Sequence, residues 1–433
     1  MFYSRINMLD RTIPPEIKDA VDFNVQLKQT ENYILDNGVP VYSINAGAQE
    51  LTMIELIFYA GNWYEEQNIV AATTNHLLKN GTSKKSAFEI NEHFEYYGAY
   101  LNRNCYNEVA NLTLHCLNKH LKDVLPVVSE LITDSVFTEE EISIYKQNQI
   151  QRLKVSLQKC EFVANRFIDE YLYGYDHPYG RYTSIPDFQA LHREKILKFF
   201  KDYYVNGKCI ILAAGKLPGD IFSQLNAVFG HLPINKNSIG EKNFSVAPSA
   251  QKKQRIINDP NGVQGAIRIA RPFPNRRHPD FMKAQVLNNL FGGFFGSRLM
   301  SNIREDKGYT YGIHSYFENH IHDSAWMVST EAGRDVCEAT ISEVYKEMEM
   351  LKREPANEEE LLLVRNYMIG SILGDLDGPF QIINRWKNYV LNDLDESYFY
   401  NSINTIKTIS TEEIQQLAQK YLEPQEFYEL VVV

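Results

Sequence analysis

A chain of 433 residues, 44% apolar and 23% charged, has ample material for a buried core, which excludes a small disulfide-held scaffold. No window approaches the run of about 18 apolar residues that a membrane span requires, and a net charge of −11 without any Lys/Arg cluster argues against a nucleic-acid binder. The five cysteines, Cys105, Cys116, Cys160, Cys209 and Cys337, never form a C-x-x-C pair, so neither a disulfide framework nor a cysteine-ligated zinc is expected.

The N-terminal stretch MFYSRINMLDRTIPPEIKD has no charged region leading into an apolar one, which reads as a cytoplasmic start. ENYILDNGVPVYSI, residues 31–44, predicts a hairpin with a type I′ turn at Asn37-Gly38. MIELIFYAG (53–61) reads as a strand, and a helix is expected over 69–80. The next helix starts after Ser86, whose capping box closes with Glu89, and Ala87, Ile90, Phe94 and Tyr97 recur on one face. AYLNRNCYNEVANLTLHCL (99–117) reads as two alternating strands, followed by two or three helices.

One of those helices, opened by TEEEISIYKQNQI (138–150), reappears as NEEELLLVRNYMI (357–369) at an offset of 219 residues. Thr138 with Glu141, and Asn357 with Glu360, fit the capping box. At the same offset CIILAAG (209–215) faces YELVVV (428–433), while the strand-like MIELIFYAG and AIRIARPF (266–273) lead into ATTNHLLKNG (72–81) and AQVLNNLFGG (284–293), which match at an offset of 212. Between the copies, residues 232–254 are polar with two prolines and read as a linker. The expectation is an α+β fold made of one unit present twice, residues 1–231 and 255–433.

The segment AATTNHLLKNGT (71–82) resembles the signature helix of the insulysin and pitrilysin family of zinc peptidases, which includes the mitochondrial processing peptidase. There H-x-x-E-H precedes a Gly-Thr; the histidines bind zinc and the glutamate activates the metal-bound water. Anchored on Gly81-Thr82, the five positions here are Ala72, Thr73, Thr74, Asn75 and His76, so one ligand and the general base are missing. The resemblance also implies a distal glutamate ligand on IYKQNQIQRLKVSLQK (144–159), where no acid occurs and Gln149 or Gln151 takes the place. A catalytic zinc needs three protein ligands, so this chain is expected to bind no cofactor.

The resemblance extends to DHPYGR (176–181) and to FGGFFGSRLMSNIREDKGYTYGIHSYF (291–317). The latter keeps the family's R-E-x-x-G-x-x-Y as Arg304 and Tyr311, implied donors of hydrogen bonds to a substrate carbonyl. The implied fold is two homologous α/β sandwich domains in tandem. The implied function is that of a catalytically incomplete subunit, paired with a zinc-bearing H-x-x-E-H partner to cleave peptides. Its share would be the Arg/Tyr pair, chamber wall and an edge strand for extended peptide.

Two other readings stay open. One is a peptidase active alone through an unconventional metal site at His76, or at His320 and His322 on one side of a strand with His314 nearby. The other is a scaffold without hydrolysis, like the core subunits of respiratory complexes. Gly292, Gly293 and Gly296 match no phosphate-loop pattern and are expected to allow close packing or a flexible loop. No G-x-S-x-G elbow supports a serine hydrolase.

Overall fold

The computed structural model describes residues 19–236, 240 and 242–433. The N-terminal start therefore lies almost wholly outside the described residues, as do 237–239 and 241 of the expected linker. The first half opens with β1 (Glu31–Ile34), β2 (Pro40–Asn45) and β3 (Leu51–Phe58). Helices α1 (Val70–Leu77) and α2 (Ala87–Tyr96) lead to the hairpin β4 (Tyr100–Cys105) and β5 (Ala110–Leu117). Then follow α3 (Leu121–Asp134), α4 (Glu139–Ser156), α5 (Cys160–Tyr173), α6 (Ile185–Ala190) and α7 (Arg193–Phe200). The sequence suggested two or three helices here; α6 and α7 are too short for a 3.6-residue pattern to stand out. β6 (Cys209–Gly215) and α8 (Ile221–Phe229) complete this half.

The second half runs β7 (Lys253–Ile256), β8 (Gln264–Phe273), α9 (Phe281–Asn288), β9 (Thr310–Asn319) and β10 (Ser324–Gly333). After these come α10 (Cys337–Arg353), α11 (Glu358–Gly374), α12 (Pro379–Leu391), α13 (Glu396–Thr408), α14 (Thr411–Tyr421) and β11 (Tyr428–Val432). No helix among the described residues is long and apolar enough to cross a membrane.

The strand orders are β1-β2-β6-β3-β5-β4 and β7-β11-β8-β10-β9. In each, a parallel pair, β2 with β6 or β7 with β11, is followed by antiparallel neighbours, so the repeat is one topology used twice. Strand phase corrects one offset. Glu55 pairs with Leu212, and Arg268 with Leu430, and these two pairs occupy equivalent places. By these pairs the offset is 213 through β3 and β8 (268 − 55), as their first letters align, and 218 through β6 and β11 (430 − 212), one fewer than the letters suggested. A slip of one residue would turn every side chain to the wrong face.

The capping predictions divide. Asn357 and Glu360 form a complete box, as do Ser86 and Glu89. Thr138 accepts the Glu141 N–H, but the Glu141 carboxylate is drawn away by the Asn80 amide at 2.7 Å. The first hairpin also differs from expectation. Only Gly38 has positive φ, at 85°, and its N–H donates to Leu35, giving a three-residue loop with a glycine bulge in place of the type I′ turn.

Each sheet has one face covered by a helix of the other half. α5 lies on β8 and β11 of the second sheet, and α12 on β2 and β6 of the first. Val163, Ala164 and Ile168 of α5 share a core with Ala266, Ala270 and Leu430, while Ile382 and Ile383 of α12 share one with Met53, Ile57 and Leu212. Equivalent charged residues are buried under both covers. Glu55 meets Lys387 of α12 at 3.2 Å, and Arg268 donates to Asn165 of α5 at 2.7 Å and to Glu331 at 2.9 Å. The linker is pinned to the same place: Ala247 and Ser249 donate N–H groups to the Tyr173 and Tyr171 carbonyls that end α5. Gly174 (φ 85°) is required there, since a Cβ would come within 2.7 Å of the Ala247 oxygen.

At this junction burial, and the nearby negative charge of Glu318, hold the Asp169 carboxyl of α5 well above the usual carboxylate range. The folded state thus prefers the proton. Above the ordinary carboxylate pKa the unfolded chain loses that proton first, so stability falls as pH rises toward the raised value. Asp169→Asn is expected to melt above wild type at pH 8, with the gap closing toward pH 5. Thermal scans across that range check it; a variant less stable at both ends would assign Asp169 a stabilising charge.

Candidate functional site

Helix α1 begins without a Ser, Thr, Asp or Asn cap. Ile69 precedes it at φ 69°, a conformation that β-branched residues avoid. Glu65 holds it there, its carboxylate accepting the N–H groups of Ile69 at 3.2 Å and Ala71 at 2.9 Å. Burial pushes this carboxyl up to about 7. Nothing in the sequence signalled the role, because the cap acts from four residues upstream.

Of the motif positions, Ala72 is half-buried, His76 exposed and Asn75 buried. The Asn75 amide points into the core, donating to the Asn111 carbonyl at 3.3 Å and the Tyr204 hydroxyl at 3.2 Å. His76 lines an open cleft of about 90 Å³ between α1 and α4, shared with Tyr145, Asn148, Gln149 and Arg152. Of the two glutamines proposed for the distal position, Gln149 therefore faces His76, and Gln151 is exposed. One imidazole, a methyl group and amides form a donor set that does not fit zinc. Among the described residues, no three His, Cys, Asp or Glu side chains converge as a metal cluster. Burial and the positive charges of Arg103 and Arg152 hold the His76 imidazole below its ordinary value.

Arg304 and Tyr311 come together in the second half. The chain leaves α9 through a wide π turn (289–293), enters another at Met300–Asp306 and reverses at Gly308 (φ 67°) into β9. The Arg304 guanidinium lies 4.6 Å from the Phe295 ring centroid and 5.3 Å from that of Tyr311. Phe295 is 60% exposed and Tyr311 91%, so this cluster belongs to no core. Gly292 serves close packing, since a Cβ there would meet Ser315 at 2.7 Å. No hydrogen bond or ring contact among the described residues joins this pair to the α1 cleft.

His320 and His322 lie in the turn between β9 and β10, and not on a strand. Their rings go to different partners: His320 stacks on Tyr179 at 3.9 Å and His322 on Trp63 at 4.1 Å. Burial presses His320 down to about 4. His314, on β9, is exposed. The DHPYGR turn thereby clamps the halves together, with Tyr179 donating to Glu108 and accepting from the His322 N–H at 3.3 Å. Beside it a chamber of about 610 Å³ opens between the halves, lined by Glu55, Asn107, Glu108, His320 and Lys387.

Comparison with known proteins gives two family matches. The family described as insulinase, peptidase family M16, matches residues 41–176, and the peptidase M16 inactive domain matches residues 190–368. An uncharacterized zinc protease, YmxG of Bacillus subtilis, is 23% identical over 402 residues, covering 90% of this chain and 95% of that protein. A non-peptidase homolog, YmxG of Helicobacter pylori, is 21% identical over 89% of each chain. The crystal structure of a peptidase M16 inactive domain from Pseudomonas fluorescens superposes with a TM-score of 0.83 at 22% identity, covering 93% of this chain and 98% of that one.

Restoring the motif letters on α1 is expected to fail for a structural reason. Ala72→His with Asn75→Glu still leaves an amide at position 149 and removes the donor to the Asn111 carbonyl. The Tyr204 hydroxyl can turn to donate; the carbonyl cannot. The Asn111 carbonyl would then face a buried carboxylate in place of a donor, so the double variant should denature earlier than wild type. By elemental analysis it should hold no stoichiometric zinc until Gln149→Glu is added. Stoichiometric zinc in the double variant would place the third ligand elsewhere.

Proposed function

Because the chain belongs to the M16 peptidase family, yet carries an α1 whose donor set does not fit that family's metal, we propose that it is a catalytically incomplete subunit. Its partner is a homologue with an intact H-x-x-E-H, and the pair cleaves peptides. The observation that carries this reading is the Arg304–Tyr311 cluster, held by cation–π contact and turned to solvent, where no core requires it. A guanidinium and a phenol presented this way suit a substrate carbonyl in a site completed by another chain. β4, at the free edge of the first sheet, offers main-chain groups to an extended peptide.

The name of the Helicobacter pylori relative agrees with an inactive chain, and that of the Bacillus subtilis relative with a peptidase active alone. The isolated chain is expected to contain no stoichiometric zinc and to show no chelator-sensitive peptide hydrolysis. One tightly bound zinc per chain with such activity would return the protein to the second reading.

In the reconstituted complex, with assembly verified by sizing, Tyr311→Phe deletes one donor and almost no volume. Loss of an oxyanion-type donor costs roughly 3 kcal/mol in a single-chain site. Across two chains about half of that is expected, a fall in kcat/KM of about tenfold. Arg304→Ala should fall further, and Arg304→Lys should recover only part, since an ammonium cannot reproduce the planar fork. Wild-type turnover from both Tyr311→Phe and Arg304→Ala would make the chain a scaffold.

A further inference from the structure

The α1–α4 cleft concentrates positive charge. Arg103 stands beside it on β4, its Nη1 donating to the carbonyl of His76, whose ring lines the cleft. Arg152 lines it from α4. Among the described residues, no carboxylate hydrogen-bonds or ion-pairs with either guanidinium. The one acid in the cleft, Glu141, is held by Asn80. It lies three turns of α4 from Arg152, about 16 Å along the axis, too far to neutralise it. The remaining polar lining, Asn148 and Gln149, carries amide donors. Cations without counter-charge between low-dielectric walls draw anions.

The strand that carries Arg103 says where such an anion comes from. β4 is the free edge of its sheet and packs against α1. Leu101, two residues before Arg103, enters the core beneath that helix, so alternate side chains of β4 point to the α1 side. A peptide added to this edge directs its own alternate side chains the same way. We propose that the α1–α4 cleft is a carboxylate-binding pocket, in which Arg152, beside the charge of Arg103, selects an acidic side chain on a peptide paired with β4. The proposal rests on the peptide-binding reading above and adds a specificity to it. A guanidinium–carboxylate contact is among the strongest charge-assisted hydrogen bonds available.

The test uses three fluorophore-labelled nine-residue peptides of Ala, Ser and Thr, with binding to the full chain followed by anisotropy. One has a central Glu and an amidated C-terminus, one a central Gln and an amidated C-terminus, and one a central Gln and a free C-terminus. The Glu peptide is expected to bind about tenfold tighter than its amidated Gln twin, the equivalent of about 1.4 kcal/mol. Arg152→Gln, at an exposed position, should remove the difference without disturbing the fold, and Arg103→Gln should reduce it. Equal binding of the two amidated peptides overturns the acidic preference and leaves peptide binding standing. Tightest binding by the free C-terminus assigns the pocket to a terminal carboxylate and overturns the side-chain proposal. Absence of binding by all three overturns this inference together with the peptide-binding reading.

Discussion

The exchange of helices between the halves is the contact on which the remaining architecture depends. A sheet with apolar residues on both faces needs two covers, and each half supplies itself with only one. α12 closes the first sheet over Met53, Ile57 and Leu212, and α5 closes the second over Ala266, Ala270 and Leu430. Glu55 and Arg268, each about 1% exposed, lie beneath those covers; the opposite half supplies the Lys387 cation to Glu55 and the Asn165 amide to Arg268, whose carboxylate partner Glu331 is its own half's. Stripping a buried charge of its partner costs about 3–5 kcal/mol, whereas an exposed ion pair contributes less than about 1 kcal/mol. These two contacts outweigh the surface pairs in fixing how the halves sit, and with them the walls of the chamber.

That geometry explains why the α1 cleft and the Arg304–Tyr311 cluster are separate features. α1 is anchored within the first half, by Glu65 at its start and by Asn75 reaching Asn111 and Tyr204 along its inner side. The cluster stands on turns that leave α9, in the second half. The interhalf clamp runs through Tyr179, Glu108 and the β9–β10 turn and involves neither. Asn75 has a packing role: its amide donates to a carbonyl that a carboxylate at the same place would repel.

Features governed by neighbours in the chain were legible in the sequence. The boxes at Ser86 and Asn357 close within four residues, and both formed. Thr138 shows the limit: its N-cap formed, but Glu141 answered to Asn80, 61 residues away. The repeat was visible in letters, yet the offset between β6 and β11 was one residue out of phase, because face alternation is decided by what covers the sheet. His320 and His322 were read as strand residues, and Asp323 folds them into a turn by accepting the His320 N–H through its carbonyl. Glu65, Arg103 and the exchanged helices left no local pattern. Each acts on a partner that only the fold brings near. For the candidate site, the sequence singled out positions 72, 75 and 76, and not the nearby arginines.

Helix exchange also imposes an order of events on a growing chain. α5 is synthesised before the sheet it covers, so its apolar stripe waits for β8 and β11. The first sheet waits for α12, which ends at Leu391, well after β6 ends at Gly215. At about 5–20 residues per second this interval lasts roughly ten to thirty seconds. Throughout it, Met53, Ile57, Ile210 and Leu212 form an uncovered apolar surface on the nascent protein. The first sheet is thus left without its second cover until α12 has been made.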